Sequence, residues 1–119
     1  MPWVLPTASG GNVGVENTPI ASTVAPLGIA GSWTSAAFSV MGFDKIAVTM
    51  KADRVGTITI HQGPDGLVWN AKSVETFDPA ENPTEGFLVD VIAPYAYAVF
   101  ANTSGLVMAV TNIEVRRKY

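Results

Sequence analysis

The sequence predicts an all-β domain, either an antiparallel β-sandwich or a small barrel. Three observations predict it. Short runs alternate between apolar and polar residues, as strands with one buried face do. Turn signals built from Gly, Pro, Asp and Asn separate these runs at close spacing. No segment of ten or more residues combines a helical period with a helix cap.

The clearest strand covers residues 45–53, where four apolar side chains fall on one face: Ile46, Val48, Met50 and Ala52. The alternation resumes at 57–62, with Ile58 and Ile60 predicted to point inward. Further strands are predicted at 68–69, 73–77, 87–92, 95–100 and 106–115, with one or two more within 29–38. Six to eight short strands of this kind indicate one antiparallel, two-layered domain.

The composition excludes several classes of protein. The chain has 119 residues, the size of one domain. It has no Cys and a single His, His61, so disulfides, thiolate zinc sites and Cys–His or Ser–His nucleophile pairs have no residues to use. A net charge of −3 argues against a nucleic acid partner. The sequence has no run of 18 apolar residues, so it predicts no membrane span. We therefore expect a protein that is not an enzyme and has no cofactor, no nucleic acid partner and no membrane partner.

The N-terminal part of the chain is almost free of charge. Glu16 is the one charged residue among the first 43, and the segment is punctuated by Gly and Pro. We predict an extended arm over residues 1–24 that lies on another surface, followed by the sandwich domain over 25–119. The alternative is a flexible terminus that becomes ordered only through contacts with neighbours.

Large apolar side chains in the arm are few. Trp3 lies where no intrachain core is expected, so we predict that it anchors the arm in a pocket of a partner chain, together with Val4 and Leu5. The predicted strand at 106–115 is apolar on both faces at its start. It is therefore central, or a neighbouring subunit covers its outer face. On the second interpretation, the partner covers Leu106, Met108 and Val110.

Candidate sites for chemistry have simpler structural explanations. We expect His61 to be a solvated strand residue, and Asp65 to bond its own backbone within the turn at 63–66. Four carboxylates form an acidic stretch that we interpret as a solvated loop, although Ca²⁺ is an alternative: Glu75, Asp78, Glu81 and Glu85. Asn102 begins a glycosylation pattern that fits a hairpin turn better, and residues 116–118 form a basic end that we expect to be solvated.

The remaining two tryptophans admit two interpretations. Trp33 and Trp69 are expected in the core or at a sheet edge, because aromatic side chains dominate protein cores. The alternative is a platform for sugar rings, which requires one of them to be exposed on a face beside Asn or Asp.

A series of short motifs along residues 25–117 resembles one protein family. The strongest is the turn Asp65-Gly66-x-x-Trp69, which follows the strand at 56–60. The other matching segments are 25–28, 31–33, 42–48, Asp53, 93–99 and Asn102. Their order resembles small β-sandwich, jelly-roll-like structural proteins of tailed bacteriophage virions, and capsid decoration or cement proteins most of all. Tyr97 departs from the pattern, because these proteins often carry Arg there.

The resemblance implies a structural role on the virion. A decoration protein binds the outer capsid surface, contacts the major capsid protein and stabilises the assembled shell, since a ligand that binds only the assembled lattice stabilises it by mass action. It also implies a homo-oligomer, with a trimer favoured. The alternative function is a carbohydrate-binding or adhesin-type β-sandwich module of a phage tail or fibre.

The anchor role of Trp3 can be tested by Trp3→Ala. Because a buried indole contributes several kcal/mol of transfer free energy, we expect binding to shells that lack this protein to weaken at least about tenfold, or about 1.4 kcal/mol. The melting temperature of the isolated protein should stay nearly unchanged. Unchanged binding would exclude the anchor role, and a large drop in melting temperature would indicate that Trp3 packs on its own sandwich.

Overall fold

The computed structural model describes residues 14–81 and 86–119, together with the backbone of Thr84 and Glu85. The described residues form two antiparallel sheets packed against each other, so the predicted β-sandwich is confirmed. The strands are β1 (Ala21–Thr23), β2 (Ser32–Thr34), β3 (Phe38–Ser39), β4 (Lys45–Ala52), β5 (Gly56–Gly63), β6 (Ala71–Phe77), β7 (Thr84–Asp90), β8 (Tyr95–Asn102) and β9 (Val110–Lys118).

The first sheet, sheet I, has the strand order β1-β9-β4-β7. The second, sheet II, has the order β2-β8-β5-β6, and β3 also pairs with β8. The long central strands β4 and β9 pair from Lys45 with Lys118 to Ala52 with Val110, with a bulge after Lys51. In sheet II, β5 and β8 pair along their whole length, from Gly56 with Asn102 to Gly63 with Tyr95.

The core lies between the sheets and follows the alternation of the sequence. The predicted inward residues of β4 and β5 are all buried: Ile46, Val48, Met50, Ala52, Ile58 and Ile60. Phe77 and Phe100 are the largest of the fully buried side chains. Trp33 is half-buried and packs against this core from β2, as predicted for a residue at a sheet edge.

The edge of sheet II beside β8 is a strand broken in two, β2 and β3. Ser35 lies in the gap and is buried. Its amide donates to the Ala98 carbonyl, and its Oγ accepts the Ala98 amide, each at 2.9 Å. The side chain thus replaces a backbone acceptor, and the buried amide of Ala98 keeps a partner where the strand is interrupted.

The last strand begins later than the sequence predicts. β9 covers Val110–Lys118 rather than 106–115, and residues 106–109 form a loop in which only Met108 pairs, with Leu27. This apolar run contributes to the core and does not extend the pairing of β9, because the Met108 side chain is fully buried. Residues 68–69, predicted to open a strand, likewise lie in the loop before β6.

The predicted arm over residues 1–24 is wrong for its described part. Residues 1–13 lie outside the described residues. From Val15 onwards the chain lies along β9 of its own sandwich: Val15 pairs with Lys118, and β1 pairs with residues 113–115. The low charge of this segment therefore reflects in part its role as an edge of sheet I.

One ion pair fastens this N-terminal segment to β9. The guanidinium of Arg117 donates to both carboxylate oxygens of Glu16, at 2.9 and 2.7 Å, and lies 4.6 Å from the ring centroid of Phe43. The Arg117 amide donates to the same carboxylate at 2.9 Å. These bonds hold the pKa of Glu16 below its usual value of 4.5. Arg117 also donates to the carbonyl of Ser39 in sheet II, so the expectation of a solvated basic end is wrong for this residue.

Glu16→Gln tests this attachment. We expect the free energy of unfolding at pH 7 to fall by about 1–2 kcal/mol, since two charge-assisted hydrogen bonds are weakened. The pKa of Glu16 is lowered by folding, so the contribution is present above about pH 4.5 and is lost as the pH falls through the folded pKa. Urea unfolding across pH 7 to 3 should therefore show the difference from the wild type shrinking on acidification.

Glu75→Gln is the matched control, because Glu75 is exposed on β6. It should change the free energy of unfolding by less than about 0.5 kcal/mol. Equal stability of Glu16→Gln and the wild type at pH 7 would contradict the role of the pair.

Candidate interaction surfaces

The predicted partner-binding residues fall into three groups. Trp3, Val4 and Leu5 lie outside the described residues, so their role stays a prediction. Met108 is fully buried and Val110 is 8% exposed, both in the chain's own core, so the prediction of an exposed face is wrong for these two. Leu106 is 51% exposed in the loop between β8 and β9 and remains available to a partner.

A buried amide holds together the end of the sandwich that carries Leu106. Asn102, the last residue of β8, is 3% exposed. Its Nδ2 donates to the carbonyls of Gly28 at 2.9 Å and Leu106 at 2.6 Å, and its Oδ1 accepts the amide of Ser104 at 3.0 Å. The side-chain amide of Asn102 is thus engaged in hydrogen bonds to backbone groups. A turn does lie at this position, but the predicted hairpin is wrong, because β8 and β9, the strands on either side of it, belong to different sheets.

Exposed apolar side chains cluster around this amide. We call Ile29, Leu106 and Val107 the Asn102-end patch; all three are more than half exposed. Ile29 follows Gly28 directly, and the Gly28 and Leu106 carbonyls accept from one amide, so the patch brings two loops together. Beside it lies an open cleft of about 700 Å³, lined by Asp53, Arg54, Val55, Asp78, Pro79, Ala80, Thr103, Ser104 and Leu106. Apolar side chains that are exposed in contiguous loops are typical of interaction sites.

A second buried amide closes the opposite end. Gln62 in β5 is 1% exposed. Its Nε2 donates to the Asp90 carbonyl and its Oε1 accepts the Ile92 amide, both at 2.9 Å. Because Asp90 ends β7 of sheet I, this side chain ties the two sheets together where the chain crosses between them.

The two outer faces of the sandwich differ in charge. The register places the following charged residues on the outer face of sheet I: Lys45, Lys51, Glu114, Arg116 and Lys118. The outward positions of β5 and β8 in sheet II are neutral, for example Thr57, Thr59, Val99 and Ala101. On the outward positions of the sheet II strands, Lys72 alone carries a formal charge. Sheet II therefore presents a nearly neutral face.

An aromatic cluster lies at one border of that neutral face. His61 in β5 stacks on Tyr97 in β8, with ring centroids 4.5 Å apart and 10° between the planes. Trp69 meets the same Tyr97 at 4.7 Å and 78°, in an edge-to-face contact. The prediction that Trp69 lies in the core or a sheet edge is wrong, because it belongs to the loop between β5 and β6. The outward positions of His61 and Tyr97 are a signal of this cluster in the sequence, since both follow from strand alternation.

The loop that carries Trp69 is shaped by three residues. A Cβ on Gly63 would lie 1.8 Å from the Val68 carbonyl oxygen, so the loop folds back into space that only glycine leaves open. Asp65 Oδ1 accepts the amides of Leu67 and Val68 at 2.9 Å, as predicted for this turn, and Gly66 adopts a φ of +77°. Trp69 is thereby held against the outside of sheet II by a defined loop.

The electrostatics of this cluster are mild. Partial burial, and to a smaller extent the charge of Lys72, lower the pKa of His61 below its usual 6.5, so the imidazole is neutral at pH 7. Its neighbours in the cleft formed by the loop are Trp69, Asn70, Ala71 and Lys72, and the cleft has a volume of about 370 Å³.

The described part of the chain assembles no cluster of metal-ligating side chains. Within residues 14–81 and 86–119, no three side chains of His, Asp or Glu come together as metal ligands. Asp78 instead accepts the Ala80 amide in a local turn. Over the same residues there is no helix long and apolar enough to cross a membrane.

Comparison with known proteins gives a likeness of fold. No protein-family profile matches the sequence, and no curated protein does. The fold is similar to that in the crystal structure of the PBSX exported protein XepA, with a TM-score of 0.68 and 16% sequence identity. The aligned region covers 83% of this chain and 37% of XepA, so this chain spans little more than a third of the length of that protein.

Asn102→Asp tests the amide that organises the Leu106 end. The change replaces a donor to two carbonyls by a buried carboxylate, and we expect the free energy of unfolding at pH 7 to fall by about 3 kcal/mol or more. The loss should diminish at acid pH, where the new carboxyl takes up a proton and donates again. The control is Asn112→Asp on the outer face of β9, which should cost less than about 0.5 kcal/mol. Equal urea midpoints for the two variants would contradict this assignment.

Proposed function

We propose that this chain is a structural protein of a phage virion, and more specifically a capsid decoration, or cement, protein. The likeness of its fold to XepA, a protein of the phage PBSX, carries the proposal. The order of motifs along residues 25–117, which resembles virion sandwich proteins, supports it independently. Attachment to the outer capsid surface is the finer part of the proposal.

The Asn102-end patch is the attachment surface in this proposal. Ile29, Leu106 and Val107 expose apolar area on loops that the Asn102 amide holds in place, so little ordering is needed when they dock. The major capsid protein is the proposed partner. A modest interface suffices, since many copies on one shell add their contributions and each stabilises only the assembled lattice.

Self-association belongs to the same proposal. A homo-oligomer, with a trimer favoured, would place the exposed patches of several copies on one partner surface and raise the avidity of attachment. Sedimentation of the free protein distinguishes self-association in solution from assembly only on the shell. A monomer at all concentrations would exclude the trimer in solution and leave attachment as single copies.

Leu106→Lys tests the attachment surface. A charge in the centre of an apolar contact must be desolvated on binding, so we expect affinity for shells that lack this protein to fall at least about tenfold, or about 1.4 kcal/mol. Co-sedimentation with the shells measures it. Leu67→Lys is the matched control: Leu67 is 83% exposed in a loop at the opposite end and should leave binding and the melting temperature unchanged.

Immunogold labelling of virions tests the broader proposal. Label on the capsid is the expected result. Label on the tail would overturn the decoration role and keep the virion role, and particles without label would overturn both. Equal binding of Leu106→Lys and the wild type to shells would overturn the assignment of the patch.

A further inference from the structure

We propose that the cleft beside Trp69 is a saccharide-binding site. The inference stands on the geometry of that cleft and does not depend on the virion role. The cleft lies on the border of sheet II at the end opposite the Asn102-end patch. A ligand in the cleft therefore does not block a partner on the patch.

The first support is the placement of the indole. An aromatic side chain of this size gains most by burial in the core, yet Trp69 lies in a loop outside sheet II. Its contact with Tyr97 is edge-to-face at 78°, so whichever ring supplies the edge, at least one face of the indole is not used by Tyr97. The indole is half-buried, with Cε3 close to Gly63, and its exposed part can pack against the C–H groups of a sugar ring, since the ring face is electron-rich.

The second support is rigidity. A Cβ at position 63 would collide with the Val68 carbonyl. Asp65 Oδ1 accepts the backbone amides of Leu67 and Val68 at 2.9 Å, which closes the turn. His61 and Tyr97 stack behind the indole across two paired strands. A site of this kind is ordered before its ligand arrives, which lowers the entropy cost of binding a small molecule.

The third support is the polar lining. The Asn70 amide donates and accepts, the Lys72 ammonium donates, and the neutral imidazole of His61 can donate from one nitrogen and accept at the other. Sugar hydroxyls require this mixture of donors and acceptors around an apolar platform. The volume of about 370 Å³ is at the lower end of the range for small-ligand sites, about 300–1,000 Å³, and suits a short saccharide.

The lining also excludes other uses of the cleft. No carboxylate belongs to it among the described residues, so the pair of acids that glycoside hydrolysis requires is not provided there, and the site would bind without cleaving. Single-stranded nucleic acid also stacks on aromatic rings, but it needs a basic groove, and Lys72 is the one cation of the lining on a chain of net charge −3.

The test is an NMR titration of the full ¹⁵N-labelled chain with four series of oligosaccharides, built from glucose, galactose, N-acetylglucosamine and glucuronate. Oligothymidylate serves as a control for stacking alone. We expect saturable binding of at least one saccharide series, with the indole N–H signal of Trp69 shifting. Trp69→Ala should weaken that binding at least tenfold, about 1.4 kcal/mol, while Trp69→Phe retains part of the affinity. Lys72→Ala should also weaken it.

Leu67→Ala is the matched control, because Leu67 is an exposed residue of the same loop that does not line the cleft. It should bind the saccharide like the wild type, and the ¹⁵N spectrum of each variant should show that the sandwich stays folded. The proposal is overturned if no saccharide series shifts the Trp69 signal at millimolar concentration, if oligothymidylate alone binds, or if Leu67→Ala loses as much affinity as Trp69→Ala. Trp69→Ala should still attach to shells, so failure here is distinct from failure of the virion role.

Discussion

Two buried side-chain amides hold this sandwich closed, one at each end. Gln62 connects β5 to the chain as it leaves β7, and Asn102 connects β8 to the loops before β2 and after Ser104. A sandwich without Cys has no disulfide to fix its loops, and a loop carbonyl or amide buried without a partner costs about 1–3 kcal/mol. The amides satisfy these groups and so fasten the loops at both ends to the strands that carry Gln62 and Asn102.

The surfaces of the protein depend on that closure. The exposed apolar residues of the Asn102 end stand on loops whose carbonyls are held by a single amide, and the Trp69 loop follows Gln62 by way of Gly63. Sheet I turns a charged face outward and sheet II a nearly neutral one. The molecule therefore has two different ends and two different faces, and a protein that bridges other molecules can use them separately.

The sequence predicted the strands correctly where apolar and polar residues alternate strictly. It misplaced or overlooked strands where they do not. The inward positions of β4 and β5 follow directly from period-two patterning, and they are all buried. The run at 106–109 has no such period, and its placement depended on Leu27, which pairs with Met108 from more than 80 positions away in the chain. The segment from Val15 to Thr23 had too little charge and too few apolar residues to reveal that it pairs with β9.

Local patterns in the sequence predict the fold class, the core faces of the long strands and the turn at Asp65, because each of these depends on local periodicity or on a side chain bonding its own backbone. Which residues meet is visible only in the folded chain: Glu16 meets Arg117, Asn102 meets three loop positions, and Tyr97 meets both Trp69 and His61. Ser104 and Leu106 lie within four positions of Asn102, but the other contacts join residues far apart in the chain. Their geometry arises from strand register and sheet packing, and no local pattern of residues encodes it.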